Sequence, residues 1–131
     1  MEKSKLLGVL GGLGPMATVY FYELLTSLTD AKSDQEHIDM VISSRATTPD
    51  RTAYILGKSD VNPIGAMIGD AKKLVAFGAD IIAIPCNTAH YFYDQLAAAV
   101  NVPILNIVEE SVACLKVGGI SKFGLLATDG T

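Results

Sequence analysis

Short apolar runs alternate with longer amphipathic stretches along the whole chain, and this rhythm constrains the fold more than any other feature. Runs of strand length separated by helix-length segments specify βα units, whose parallel strands are buried beneath their own crossover helices. The pattern predicts strands at Lys5–Leu10, Ile38–Ser44, Asp80–Pro85, Val102–Asn106 and Lys122–Thr128. Helices are expected over Pro15–Leu28, from Asn62-Pro63 to the residue before Gly78, over Thr88–Val100 and over Ile107–Val117. The expected fold class is therefore α/β: three layers, with a mostly parallel, doubly wound sheet of about four to five strands and helices on both faces.

Local chemistry supports these boundaries. Pro15 suits a first helical turn, where no intrahelical N–H bond is lost. Ile64, Met67, Ile68, Ala71, Leu74 and Val75 recur on one helical face, and Gly78 ends that helix as a C-cap glycine does. The 131 residues, half of them hydrophobic, suffice for one domain with a real core, so residues 1–131 are read as a single α/β domain. No repeat or low-complexity segment interrupts it. The net charge of −4 and pI near 5.0 leave no basic stripe, which argues against nucleic acid and anionic membranes as partners. No apolar run approaches a membrane span, and "MEKSKLLGVL" lacks a signal-peptide profile. Cys86 and Cys114 form neither a metal-type cluster nor a disulfide framework. Free thiols in a cytoplasmic protein, with no metal, are the expectation.

The glycine-rich turn "GGLGPMAT" leads from the first strand into the first helix. By spacing, Gly12, Gly14 and Ala17 fit a dinucleotide fingerprint, which also requires an acidic residue near the end of the second strand for the ribose. That strand ends "ISSRA", with Arg45 where the acid should be. Arg45 could suit a phosphorylated ribose, and a P-loop is ruled out because no Gly-Lys-Ser/Thr follows. What remains is a turn whose backbone N–H groups and helix N-terminus can approach a small anion, a carboxylate as readily as a phosphate.

Three further segments carry candidate chemistry. Cys86, in "IIAIPCNTAHYFY", directly follows the third strand, and ligands of open α/β sheets bind outside the carboxyl ends of strands. A thiol there faces the positive end of the next helix, which favours the thiolate, and Asn87 and Thr88 bring an amide and a hydroxyl to the same place. The plainer alternative makes Asn87 a helix cap and Cys86 a small buried residue. The connection "RATTPDRTAYILGKSDV" exceeds the ~2–6 residues usual in such folds, as functional loops do. Within it Arg51 is the best anion binder, since a guanidinium grips a carboxylate through two donors. Asp50 either orients Arg51 or sits in the first turn of a short helix beginning at Thr48-Pro49, and Arg45 is a weaker anion candidate. His90 reads as a packed or solvated residue that could support Cys86. His37 reads as solvated, and Cys114, mid-helix, as a packing or helix-face residue without chemistry.

Taken as an ordered set, "GGLGPMAT", "TPDRTAYIL", "PCNTAH" and "GLLATDGT" closely resemble the aspartate racemase branch of the aspartate/glutamate racemase family, over nearly the whole chain. The resemblance implies a cofactor-independent racemase, needing neither pyridoxal phosphate nor metal. It implies two similar α/β domains, pseudo-symmetric, with the active site between them and one cysteine contributed by each. These residues would then be the N-terminal domain, with the C-terminal domain outside the chain. Cys86 would be its acid/base, Asn87 and Thr88 would hold the α-carboxylate, and Arg51 the side-chain carboxylate of an acidic substrate such as aspartate. Gly14, Pro15 and Met16 would line the pocket with backbone groups, while Asp50 and His90 would stand behind it. A homodimer of the full-length protein is implied as well.

The family's second cysteine belongs to a "GCTE"-like motif that this sequence lacks, and Cys114 does not lie at a strand end. The chain also stops just past a strand, where another helix would be expected. Both features lead to the expectation of a truncated chain that does not racemise alone. Glutamate or hydantoin racemases and maleate isomerases are alternatives within the family. Outside it, a non-catalytic α/β module binding a small anion, nucleotide or amino acid is the competing reading.

Overall fold

A computed structural model describes residues 4–131. Strand β1 (Leu7–Gly11) is buried along its whole length and lies between β2 (Met40–Ser44) and β3 (Ile81–Ala83). Both pairings are parallel, with Leu7 opposite Met40 on one side and Ile81 on the other. A central parallel strand reads as a continuous apolar run because both its faces are covered. Side chains alternate accordingly. Leu7, Val9 and Ala83 pack with Phe21 and Leu25 of α1 (Pro15–Leu28). Leu10, Ile82 and Ile84 pack with Met67, Ala71 and Leu74 of α3 (Ile64–Phe77) and Leu96 of α4 (Tyr93–Ala99). Helices thus cover both faces, as expected for this fold class.

The sheet has three strands, fewer than the sequence pattern suggests. Val102–Asn106 is reduced to a single bridge, Ile104 against Ile82, made by bonds from Ile82 N to Pro103 O and from Leu105 N to Ile82 O. Pro103 has no N–H to extend that ladder. Lys122–Thr128 forms no strand, and its side chains are exposed. Its apolar run meets no strand edge within the described residues, and a strand without a partner has no ladder to stabilise it.

The helices match their signals closely. α1 begins at Pro15, and α5 (Ile107–Val117) is capped by Asn106, whose side chain accepts from the N–H groups of Val108 and Glu109. Gly78 ends α3 at φ +114°, a left-handed conformation that a side chain would strain. The helix expected from Thr88 opens instead as a 3₁₀ turn, Thr88–Phe92, before continuing as α4. The α-helical dipole expected behind Cys86 therefore starts only at Tyr93. Phe92, buried in that turn, packs on Tyr54 with ring centroids 5.9 Å apart. This contact ties the segment after Cys86 to α2 (Arg51–Ile55). Phe92→Ala should therefore cost about 3–5 kcal/mol of stability, measurable by urea denaturation.

Candidate active site

All three strands point their carboxyl ends to the same edge of the sheet, and the chain leaving each one carries a piece of the site. After β1 comes the glycine turn. Gly12 has φ +82°, and a Cβ there would collide with the backbone of Arg45. Its N–H donates to Thr18 Oγ1 at 2.9 Å, which fixes the turn to the first part of α1. Gly14, Pro15 and Met16, expected to line the pocket, are exposed at the start of α1 and line neither cleft; Leu13 and Ala17 line the polar one instead.

After β2 comes the loop bearing Arg51. The short helix begins at Arg51 rather than at Thr48-Pro49, and Asp50 stands just before its first turn as the cap, accepting from Ala53 N at 3.0 Å. Arg51 Nη1 donates to the carbonyls of Thr48 and Pro49, at 3.2 and 3.0 Å. Its Nε is buried and finds no acceptor among the described residues. An unsatisfied charged donor of this kind is costly unless an acceptor is supplied.

After β3, Cys86 is half-buried and free, with its N–H on Ile84 O at 2.8 Å. Asn87 stands at the start of the 3₁₀ turn without making a side-chain cap, so its exposed amide is not spent on the backbone there. Thr88 is buried, and its hydroxyl meets those of Thr128 and Thr131 at 3.0 and 3.2 Å. The two tail hydroxyls are also 3.2 Å from each other. This cluster was missed by sequence reasoning, because nothing local joins residues forty positions apart. The motif "GLLATDGT" was its only signal.

Arg51, Cys86, Asn87 and Thr88 line one cleft of about 520 Å³ together with Thr128 and Thr131. A second, apolar cleft of about 390 Å³ lies between α1 and α5 and is walled by Tyr20, Phe21, Leu24, Leu105 and Ile107. Cys86, Asn87, Pro85 and Ala17 belong to both, so the thiol sits where the polar and apolar clefts meet.

His90 stands behind Cys86 as a support. Its Nδ1 lies 2.8 Å from the Cys86 carbonyl, and its Nε2 accepts from Ile107 N at 3.1 Å. A carbonyl only accepts, so these partners specify the neutral Nδ1–H tautomer. His37 departs from expectation: it is half-buried, and its Nδ1 has no partner among the described residues. It lines a small cleft with Tyr22, Leu25 and Met40. Cys114 is exposed on α5 and lines neither cleft.

Arg45 is not the free anion binder the sequence allowed. Its guanidinium grips buried Asp70 of α3 with two bonds, Nε to Oδ2 and Nη2 to Oδ1, the latter 2.7 Å. Lys73 Nζ adds a longer contact of 3.3 Å to the same carboxylate. So committed, Arg45 is not free to bind a phosphorylated ribose. Among the described residues no helix is long and apolar enough to cross a membrane, and no cluster of three or more His, Cys, Asp or Glu could hold a metal ion.

The carboxyl edge of a parallel α/β sheet thus carries a free thiol, an amide, hydroxyls and an arginine, groups that can receive a small anion. Comparison with known proteins makes the assignment specific. Residues 10–131 match the Asp/Glu/Hydantoin racemase family, and the chain belongs to that family. It is 35% identical, over 111 residues, to the broad specificity amino-acid racemase RacX of Bacillus subtilis (strain 168), covering 82% of this chain and 48% of that protein. The solved structure of Picrophilus torridus aspartate racemase superposes with a TM-score of 0.81 at 36% identity, covering 88% of this chain and 48% of that one. An aspartate racemase homologue from Pyrococcus horikoshii OT3 shares the fold at 24% identity, with a TM-score of 0.71 over 89% of this chain and 50% of that one. The chain thus spans about half the length of these relatives.

The Asp70–Arg45 pair gives stability a pH signature. The hydrogen bond from Arg45 holds the Asp70 carboxyl below its ordinary range; burial opposes this, and Lys73 adds to the lowering. A carboxylate depressed in the folded state stabilises above the unfolded value of about 3.9 and loses that contribution as pH falls through the folded one. Asp70→Asn should therefore lower Tm by a few degrees at neutral pH. The gap from the unsubstituted chain should close in melting curves recorded at progressively lower pH, below about 4.

Proposed function

We propose that this chain supplies one half of a cofactor-independent amino-acid racemase site, acting on aspartate, with Cys86 as the acid/base on one face of the substrate. The observation that carries the reading is the meeting of Cys86 and Arg51 on one cleft, with Arg51 held there by neutral carbonyls through Nη1 and bonded to no acid among the described residues. The side-chain carboxylate of aspartate docks on Arg51, and the α-carboxylate on the Asn87 amide and the Thr88 hydroxyl. This places Cα toward the thiol. As thiolate, Cys86 takes the α-proton, and the negative charge that develops spreads into the α-carboxylate, where preorganised donors stabilise it. Inversion is completed by a proton delivered to the opposite face. That donor is a second thiol outside the residues described, because Cys114 lies away from the cleft. In the reverse direction the two thiols exchange roles. Neither pyridoxal phosphate nor metal takes part.

A second reading concerns substrate range within the same reaction. The apolar cleft that shares Cys86 has room for an aliphatic or aromatic side chain, which would widen the range beyond acidic amino acids.

Alkylation and isotope exchange test the proposal. Millimolar L-aspartate should slow iodoacetamide labelling of Cys86 at neutral pH, and Arg51→Ala should weaken that protection by about tenfold or more. In deuterated buffer the 131-residue chain alone should convert no L-aspartate to D-aspartate, as read by chiral chromatography. Brisk racemisation by it would overturn the one-face assignment, and labelling indifferent to aspartate would overturn the substrate assignment.

A further inference from the structure

We propose that Asp70, remote from both clefts, is the positioning residue for Arg51, acting through Arg45; the inference rests on the reading of Arg51 as the carboxylate binder. Asp70 is buried on α3 and lines neither cleft. The guanidinium it holds belongs to the residue directly after β2, and the backbone of that residue is a junction between the two anion-facing loops. On one side Arg45 N donates to Gly11 O, and the Arg45 backbone presses against Gly12, where only a glycine fits. On the other side the Arg45 carbonyl accepts from Thr48 twice, from the hydroxyl at 2.9 Å and from the N–H at 3.4 Å. Thr48 is buried, and its own carbonyl accepts from Arg51 Nη1.

An unbroken series of contacts therefore runs from Asp70 through Arg45 and Thr48 to Arg51. A bidentate carboxylate–guanidinium pair fixes orientation as well as distance, which a single contact does not. With Arg45 clamped, the Thr48–Pro49 carbonyls stand where they hold Nη1 and leave Nη2 for a ligand. With the clamp cut, the turn loses its anchor on α3, and Arg51 swings with it. Asp70 thus governs recognition of the substrate's distal carboxylate without touching substrate.

The test compares Asp70→Asn with Lys73→Ala, which removes only the exposed partner of Asp70. Modification by phenylglyoxal, read for each arginine by peptide mass spectrometry, reports how Arg45 and Arg51 are held. In Asp70→Asn both should react faster, Arg51 by about three- to tenfold, whereas Lys73→Ala should leave Arg51 unchanged. A faster Arg45 with an unaltered Arg51 would overturn the inference. Protection of Cys86 from iodoacetamide supplies the second readout. Asp70→Asn should weaken protection by L-aspartate about tenfold while leaving protection by L-alanine, which lacks the distal carboxylate, as it was. Equal loss for both amino acids would mark a merely structural effect and overturn the inference too. Should Asp70→Asn lose its native circular dichroism, Arg45→Lys takes its place. It keeps the charge but not the two-pronged grip, and an unchanged Arg51 rate there overturns the proposal equally. If Arg51→Ala leaves aspartate protection intact, the carboxylate-binding reading fails. The modification rates then judge the linkage by themselves.

Discussion

The parallel pairing of β1 with a strand on each side is the constraint on which the remaining structure depends. Parallel pairing requires each connection to cross the sheet and return, so every strand leaves at the same edge. Three loops far apart in sequence are thereby brought together without having to find one another. The glycine turn, the Arg51 loop and the Cys86 segment are neighbours because Leu7, Met40 and Ile81 stand in register. A slip of register at β2 would displace Arg45 relative to Gly11 and Gly12. The tight contact there leaves no room for such a slip, so the site and the sheet specify each other.

The two faces of that sheet are covered unequally. Below α3 and α4 the core is dense, with Met67, Leu74, Ile82, Phe92 and Leu96 almost fully enclosed. On the other face α1 buries only Thr18 and α5 buries no residue outright. The apolar cleft between α1 and α5 follows from this imbalance. Cys86 lies at its end, so the thiol has hydrocarbon on one side and the polar cleft on the other.

Local and periodic features were legible in the sequence, and features made by tertiary partnership were not. Pro15, Asn62-Pro63 and Gly78 mark helix ends by restricting their own dihedrals, so α1 and α3 fall where these residues put them. The fold class follows from the alternation of short and long apolar periods. The strands expected at Val102–Asn106 and Lys122–Thr128 have suitable composition, but a strand is a pairing, and composition does not reveal whether a partner edge exists. Arg45 illustrates the same limit for the site. Its neighbours in sequence suggest an anion binder, while its actual partner, Asp70, lies twenty-five residues away on a helix with no motif. That Cys86, Asn87, Thr88 and Arg51 would stand near one another was legible because their motifs directly follow strands. The hydroxyl cluster of Thr88, Thr128 and Thr131 was not, since only the folded chain joins its members.

The division of labour between the two arginines shows how charge is managed at this edge. Both sit in one loop, and both are candidates for the same ligand when only sequence is considered. Two unpaired guanidiniums in one loop would repel each other. Pairing Arg45 with a buried carboxylate neutralises one and makes it rigid, so that its backbone becomes scaffold. Arg51 is treated oppositely: among the described residues neutral carbonyls alone hold it, and no acid is bonded to it. The positive charge beside the cleft is thereby left on Arg51, which the carbonyls of its own loop hold in place.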